Sequence, residues 1–217
     1  MNTLWKRATA DFRRKHPDLA HLVPATEKAA QAVANCGSSD GLILICGNGG
    51  SAADSEHIAA ELVKPFSQRR GVSPSFRARL VKHGLSPRLA DRLQPGIRAV
   101  SLCAQASALT AILNDEDPAL VFAQQVCAYG RQGDVLIALS TSGNSPDIVA
   151  ALQTARAARL TTIGLSGSKV SAMDSLCDIL IKVPADATAS VQELHMPVYH
   201  LMCRLVDIRL ASERIRI

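Results

Sequence analysis

Short, largely apolar runs separated by amphipathic stretches set the rhythm of this chain. Leu42-Ile43-Leu44-Ile45-Cys46 is apolar at every position, the pattern of a strand buried on both faces of a parallel sheet. Further strand candidates, largely apolar, are Ile97–Leu102, Val135–Leu139, Thr161–Leu165 and Ile179–Val183. Between these runs the spacing predicts helices over Ala52–Val63, Ala119–Tyr129 and Asp147–Ala158, and a short one over Val170–Leu176. Two amphipathic helices, 2–15 and 19–35, precede the first strand, and Gly37-Ser38-Ser39-Asp40-Gly41 ends the second. A long final helix is expected from about Ser190 past Ile208, with a kink or a later start at Pro197. Strand–helix alternation of this kind predicts an α/β fold: a three-layer, doubly wound parallel sheet with N-terminal helices and a long C-terminal helix. Residues 1–38 read as an N-terminal helical extension and 39–217 as the α/β domain. Within it, 66–96 is an insertion with Pro74, Pro87 and Pro95 and short helical pieces such as Arg77–His83. Ligands of such sheets bind beyond the carboxyl ends of the strands.

At 217 residues one domain can bury a core without covalent staples. A net charge of +5 favours anionic partners, phosphorylated metabolites or nucleic acid. Only 3% of residues are aromatic, which makes nucleic acid the poorer fit, because base stacking needs exposed rings. Much of the positive charge sits in the insertion, where Arg69, Arg70, Arg77, Arg79, Lys82, Arg88 and Arg92 face a single acid, Asp91. That segment reads as a solvated, charged excursion or a lid. Six cysteines include no C-x-x-C pair and read as reduced, mostly buried thiols. The first eighteen residues are too charged for a signal peptide, and no apolar run reaches membrane-spanning length. A cytoplasmic location is expected.

Candidate chemistry gathers in two loops. The first strand runs into Gly47-Asn48-Gly49-Gly50-Ser51 and then directly into a helix. Glycines let the backbone approach an anion closely, and a helix start supplies unpaired N–H groups and a positive dipole end. Ser51 is positioned to cap that helix and to offer its hydroxyl. The third strand runs into Ser140-Thr141-Ser142-Gly143-Asn144-Ser145-Pro146, with Pro146 at the first helical position. Four hydroxyls in six residues make a neutral cradle for a phosphate. Gly47, Gly49 and Ala52 also match the loose dinucleotide pattern, but no acid follows at the end of the next strand to hold a ribose. A nucleoside-triphosphate loop is excluded for want of Gly-Lys-Ser/Thr.

Two further groups could react with a ligand held there. His57 and Glu61 lie four apart on one helix face, within about 15 Å of the first loop along the helix. The final helix carries Gln192, Glu193, His195 and His200. Glu193 and His200 share a face, Gln192 is turned roughly 80° from His200, and His195 reads as packing or surface. A carboxylate and an imidazole across a phosphate site suit aldose–ketose isomerisation, in which a base removes the proton beside a carbonyl and an acid protonates its oxygen. Imidazole and carboxylate ligands would equally suit zinc.

Taken together, Cys46 to Ser51, His57, Glu61, Ser140 to Ser145, Gln192-Glu193-Leu194-His195 and His200 resemble the sugar isomerase (SIS) domain of the phosphoheptose isomerases, over roughly residues 20–210. The resemblance implies a flavodoxin-like SIS fold and conversion of sedoheptulose 7-phosphate to glycero-manno-heptose 7-phosphate. It implies Glu61 as general base and His200 as general acid. Asn48, Gly49, Gly50, Ser51, Asp115, Ser140, Thr141, Ser142, Ser145 and Gln192 would bind substrate, the hydroxyls at its phosphate. In some members zinc, one per subunit, is held at positions matching His57, Glu61, Gln192 and His200. It further implies a homotetramer with active sites between subunits. Ala189 stands where such enzymes often carry Asp, Lys64 and Pro65 where many carry Arg, and the 66–96 stretch is longer than the usual link. Two other readings belong to related proteins: a non-catalytic tetramer that binds the bacterial replication initiator, and a sugar-phosphate sensor without turnover. The first lacks counterparts of Glu61 and His200; the second would keep the serine loop but tolerate loss of Glu61.

Overall fold

The computed structural model describes residues 3–211. Five parallel strands form one sheet in the order β2-β1-β3-β4-β5: β1 (Ile43–Gly47), β2 (Ala99–Ser101), β3 (Val135–Leu139), β4 (Thr161–Ser166) and β5 (Ile179–Lys182). The apolar runs became strands because helices cover both faces of the sheet. Every residue of β1 and β3 is buried. Ile43 and Ile45 point into one core, with the matching positions Val135, Ile137 and Leu139 of β3. Leu44 and Cys46 point into the other, with Leu136 and Ala138. The first core is closed by α1 (Thr3–Lys15), α2 (Val23–Ser38), α3 (Gly50–Val63) and α10 (Thr188–Ala211). The second lies under α6 (Ala106–Asp115), α7 (Ala123–Tyr129) and α8 (Pro146–Ala157). The three-layer, doubly wound sheet is the expected architecture.

Several details differ from the sequence reading. The second strand shrinks to three residues at the sheet edge and passes into a 3-10 turn at Leu102–Ala104. Helix α6 was not anticipated; of its ten residues only Ile112 is buried, so it lacks the apolar stripe that betrays a helix. The segment expected as helix from Ala119 begins instead with a 3-10 turn at Pro118–Leu120, and the short helix near 170 is confined to α9 (Met173–Leu176). Helix α10 starts at Thr188 and continues through Pro197 as one element. A proline removes one backbone bond, and the packing of Val191, Val198, Tyr199, Met202 and Val206, all buried, maintains the helix around it.

The segment expected as an insertion, 66–96, carries α4 (Pro74–Lys82), in which no residue is buried, and α5 (Pro87–Ala90). Its root is fastened to α10. The buried Asp207 carboxylate accepts hydrogen bonds from the Ser67 and Gln68 amides at 2.6 and 2.5 Å and pairs with Arg70 at 3.1 Å. Farther out, Arg77 pairs with Asp91 and Arg79 stacks on Phe76. The basic cluster thus divides into one anchored cation and a solvated remainder.

Candidate active site

The register of the sheet places the two phosphate-type loops side by side. Gly47, the last residue of β1, pairs directly with Leu139, the last of β3. The loops that follow therefore leave one edge of the sheet together, at the point where the strand order reverses, the usual binding crevice of such folds. A side-chain bridge ties them: Asn48 Nδ2 donates to both Asp147 carboxylate oxygens, at 3.1 and 2.8 Å. Asp147 sits in the first turn of α8 and also accepts the Ile148 amide at 2.9 Å. Asp147 was not singled out from sequence; an acid in a first helical turn reads as ordinary dipole compensation.

Asn48, Gly49 and Gly50 are exposed at the tip of the first loop. Gly49 caps α3 with φ +55°, a conformation that favours glycine. A Cβ at Gly50 would lie 2.6 Å from Gln192 Oε1, so the absent side chain is what lets the Gln192 amide rest against this loop. Ser51 is not the cap expected of it. It lies inside the first turn, 2% exposed, and the cap residue is Gly49. In the second loop Ser140 and Ser145 share a hydrogen bond at 3.0 Å, Ser140 Oγ accepts the Gly143 amide and Ser142 Oγ accepts the Asn144 amide. Ser140 is buried, Thr141 and Ser145 half-buried, and Ser142 exposed. Asp115 ends α6, exposed, with its carboxylate accepting from Asn114. A cavity of about 630 Å³ opens beside the bridge between Asn48 and Asp147, toward α6, lined by Cys103, Leu109, Leu113 and Phe122. Its lining is largely apolar and holds none of the hydroxyls.

The reacting candidates converge at the far end of α3. His57 Nε2 lies 3.4 Å from Glu61 Oε1 and 3.4 Å from His200 Nε2. Phe66, at the start of the insertion, packs on the His200 ring with centroids 5.6 Å apart. Burial, and then the neighbouring His57, hold the His200 imidazole below its ordinary pKa. The shift favours the neutral ring, which still carries one N–H to donate. Behind His57 lies a pair that sequence reading missed: the Tyr199 hydroxyl donates to Asp54 Oδ1 at 3.0 Å and stands 3.1 Å from His57 Nδ1. Burial raises the pKa of both Asp54 and Tyr199. Asp54 and Tyr199 are 145 positions apart, so no local pattern could join them.

Gln192 does not join this cluster within the chain. It sits over Gly50, and eight residues of α10 separate it from His200, about 12 Å of helix. Glu193 is exposed. His195 is fully buried, with neither ring nitrogen in a hydrogen bond, which makes it a packing residue.

For zinc, the donor types fit. Bonds of about 2.0–2.1 Å at tetrahedral angles put neighbouring ligand atoms roughly 3.4 Å apart, the separation of His57 Nε2 from both Glu61 and His200. Among the described residues, no group of three or more His, Cys, Asp or Glu side chains is arranged so that it could hold a metal ion. A tetrahedral site would need a further ligand.

Comparisons with known proteins bear on this geometry. The family model described as SIS domain matches residues 19–83 and 88–167. A phosphoheptose isomerase from Desulfovibrio desulfuricans is 42% identical over 195 residues, 90% of this chain and 81% of its own length. One from Bradyrhizobium is 39% identical over 207 residues, 95% of this chain and 92% of its own. Among solved structures, a phosphoheptose isomerase from Neisseria gonorrhoeae superposes with a TM-score of 0.72 at 36% identity, covering 95% of this chain and 100% of that one.

Proposed function

The chain belongs to the SIS domain family and, within it, to the phosphoheptose isomerases, and on that premise we propose that it interconverts sedoheptulose 7-phosphate and glycero-manno-heptose 7-phosphate. The observation that carries the reading is the pairing of Gly47 with Leu139, which brings the glycine and hydroxyl loops to one edge of the sheet. The backbone of Asn48 to Gly50 and the hydroxyls of Ser51, Ser140, Thr141, Ser142 and Ser145 hold the phosphate in this reading, with Asn48 and Asp115 toward the sugar hydroxyls.

Glu61 removes the proton from the carbon beside the carbonyl, and the neutral His200 imidazole gives a proton to the carbonyl oxygen, forming an enediol. The reverse transfers, made at the neighbouring carbon and oxygen, give the aldose. Each such group contributes on the order of 10²–10⁴ in rate. If zinc binds at His57, Glu61, Gln192 and His200, it supplies electrophilic polarisation of the carbonyl.

In this reading a single chain does not close the site. Gly50 and Glu61 stand eleven residues apart on α3, about 16 Å of helix. The straight seven-carbon chain of the substrate covers roughly 9 Å at about 1.5 Å per bond. The space between is filled where α10 packs on α3, with Tyr199 and Asp54 both buried. We therefore read the phosphate loops and Gln192 of one copy as meeting His57, Glu61 and His200 of another, in a homotetramer. The free state of all six cysteines supports a reducing, cytoplasmic setting. No helix among the described residues is long and apolar enough to cross a membrane.

The presence of Glu61 and His200, and their common contact with His57, favour an enzyme over a non-catalytic binder of the replication initiator or a sugar-phosphate sensor. Incubation with sedoheptulose 7-phosphate in deuterated water should place deuterium on the carbon next to the carbonyl and yield the aldose. Glu61→Gln should lower turnover by at least 10²-fold and leave phosphate binding intact. Full turnover in that variant, or no exchange in the wild type, contradicts the assignment.

A further inference from the structure

His57 is held from behind by two residues that lie outside the reacting pair, and the direction of each hydrogen bond can be worked out. Resting on the reading of Glu61 and His200 as the reacting pair, we propose that Asp54 and Tyr199 are positioning residues that fix His57 in its Nδ1–H tautomer and so present the Nε2 lone pair to Glu61 and His200.

A phenol has one proton to donate. A carboxylate only accepts, so the 3.0 Å contact between Tyr199 and Asp54 Oδ1 consumes that proton. The Tyr199 oxygen is then left as an acceptor toward His57 Nδ1, 3.1 Å away, and Nδ1 must carry the hydrogen. A neutral imidazole has only one N–H, so Nε2 is a bare lone pair. Tyr199 is fully buried and Asp54 9% exposed, which leaves water little access to replace either partner. The ring contact between Tyr199 and His57, with centroids 5.5 Å apart and nearly perpendicular planes, fixes the imidazole further. The second nitrogen of a ligating histidine commonly donates to a carboxylate or carbonyl, which fixes tautomer and orientation; here a phenol is interposed between histidine and carboxylate.

The consequence falls on the reacting pair. A bare Nε2 gives no hydrogen bond to Glu61, whose carboxylate lies 3.4 Å away. Two electron-rich atoms at that spacing call for a proton or a cation between them. The His200 Nε2–H can donate to the His57 lone pair, since it lies 3.4 Å from that nitrogen. A divalent cation can take the same place, coordinated by His57 Nε2, Glu61 and His200. With the His200 N–H directed at His57, Glu61 is kept from a competing donor and remains the acceptor that proton abstraction needs. With the opposite tautomer, Nε2–H would donate to Glu61 and blunt it as a base.

Long-range ¹⁵N–¹H spectra of histidine-labelled, metal-stripped protein read the tautomer directly, with His57→Gln identifying the resonance. The expected wild-type spectrum shows His57 as Nδ1–H. Tyr199→Phe conserves ring volume and should give a mixture of tautomers or the Nε2–H form. Zinc affinity, read by competition with a chromophoric chelator, should fall 10–100-fold in that variant. Its kcat should fall with KM for the sugar phosphate unchanged, a split that a merely structural role would not produce. A wild-type His57 in the Nε2–H form overturns the proposal, and so does a Tyr199→Phe spectrum identical to wild type. Should Tyr199→Phe not fold, the wild-type spectrum alone decides. If the protein turns over no sugar phosphate, the isomerase reading fails while the tautomer measurement still stands.

Discussion

Burial of an imidazole without partners makes His195 a source of acid sensitivity, and replacing it isolates the effect. His195 is fully buried on α10 with neither nitrogen hydrogen-bonded. Burial pushes its pKa from 6.5 down to about 4, against a backbone contact with Ser166 that raises it. The folded state therefore resists protonation that the unfolded chain accepts below about pH 6.5. Stability is full above that value and drains away as pH falls toward 4. A tenfold change in proton affinity is worth about 1.4 kcal/mol, so the fall from 6.5 to about 4 amounts to roughly 3 kcal/mol between pH 7 and pH 4. His195→Leu has similar volume and no titrating group, and it removes two unsatisfied buried nitrogens. Urea unfolding of both proteins at a fixed subunit concentration, at pH 7.5, 5.5 and 4.5, measures the difference. The variant should be at least as stable at pH 7.5, and its advantage should widen by about 2 kcal/mol or more at pH 4.5. Parallel pH profiles in the two proteins would refute the reasoning.

Two other perturbations follow from single contacts. In Gly50→Ala the new methyl meets the far end of the Gln192 side chain, which can swing away. Melting should shift little, while KM for the sugar phosphate rises about tenfold as one polar contact is lost. In Asp207→Ala, Arg70 keeps a side chain only 14% exposed but loses its counter-charge, and the Ser67 and Gln68 amides lose their acceptor. Unfolding free energy should drop by about 3 kcal/mol, and limited proteolysis should cut first within 66–96; an uncut insertion would show that Asp207 does not anchor it.

What the sequence made legible was whatever is local and periodic. Strands β1 and β3 are buried on both faces, so their apolar runs stood out, and the loops after them carried their chemistry in contiguous residues. Helix α6 escaped notice because one buried residue leaves no stripe to detect. The insertion's helix α4 buries nothing and was readable only as a short helical piece. Pro197 did not end the helix: α10 runs through it as one element. The Asp54–Tyr199–His57 chain was invisible for a different reason. Asp54 looked like any acid on a helix and Tyr199 like any core aromatic, and only the packing of α10 on α3 shows that they meet. The shared position of His57, Glu61 and His200 likewise depends on that packing; spacing could place His57 and Glu61 on one face and go no further.

Subunit complementation tests the central claim most directly. Glu61→Gln disables the base, and Ser142→Asp sets a negative charge at an exposed position of the phosphate loop; each variant alone should be nearly inactive. Co-expressed in equal amounts, they should recover about one quarter of wild-type activity, because in a random mixed oligomer a quarter of shared sites combine an intact loop with an intact base. Mixed oligomers that form, verified by differential tags, and remain as inactive as their parents would show that loops and base act within one chain, and the proposed site would be wrong.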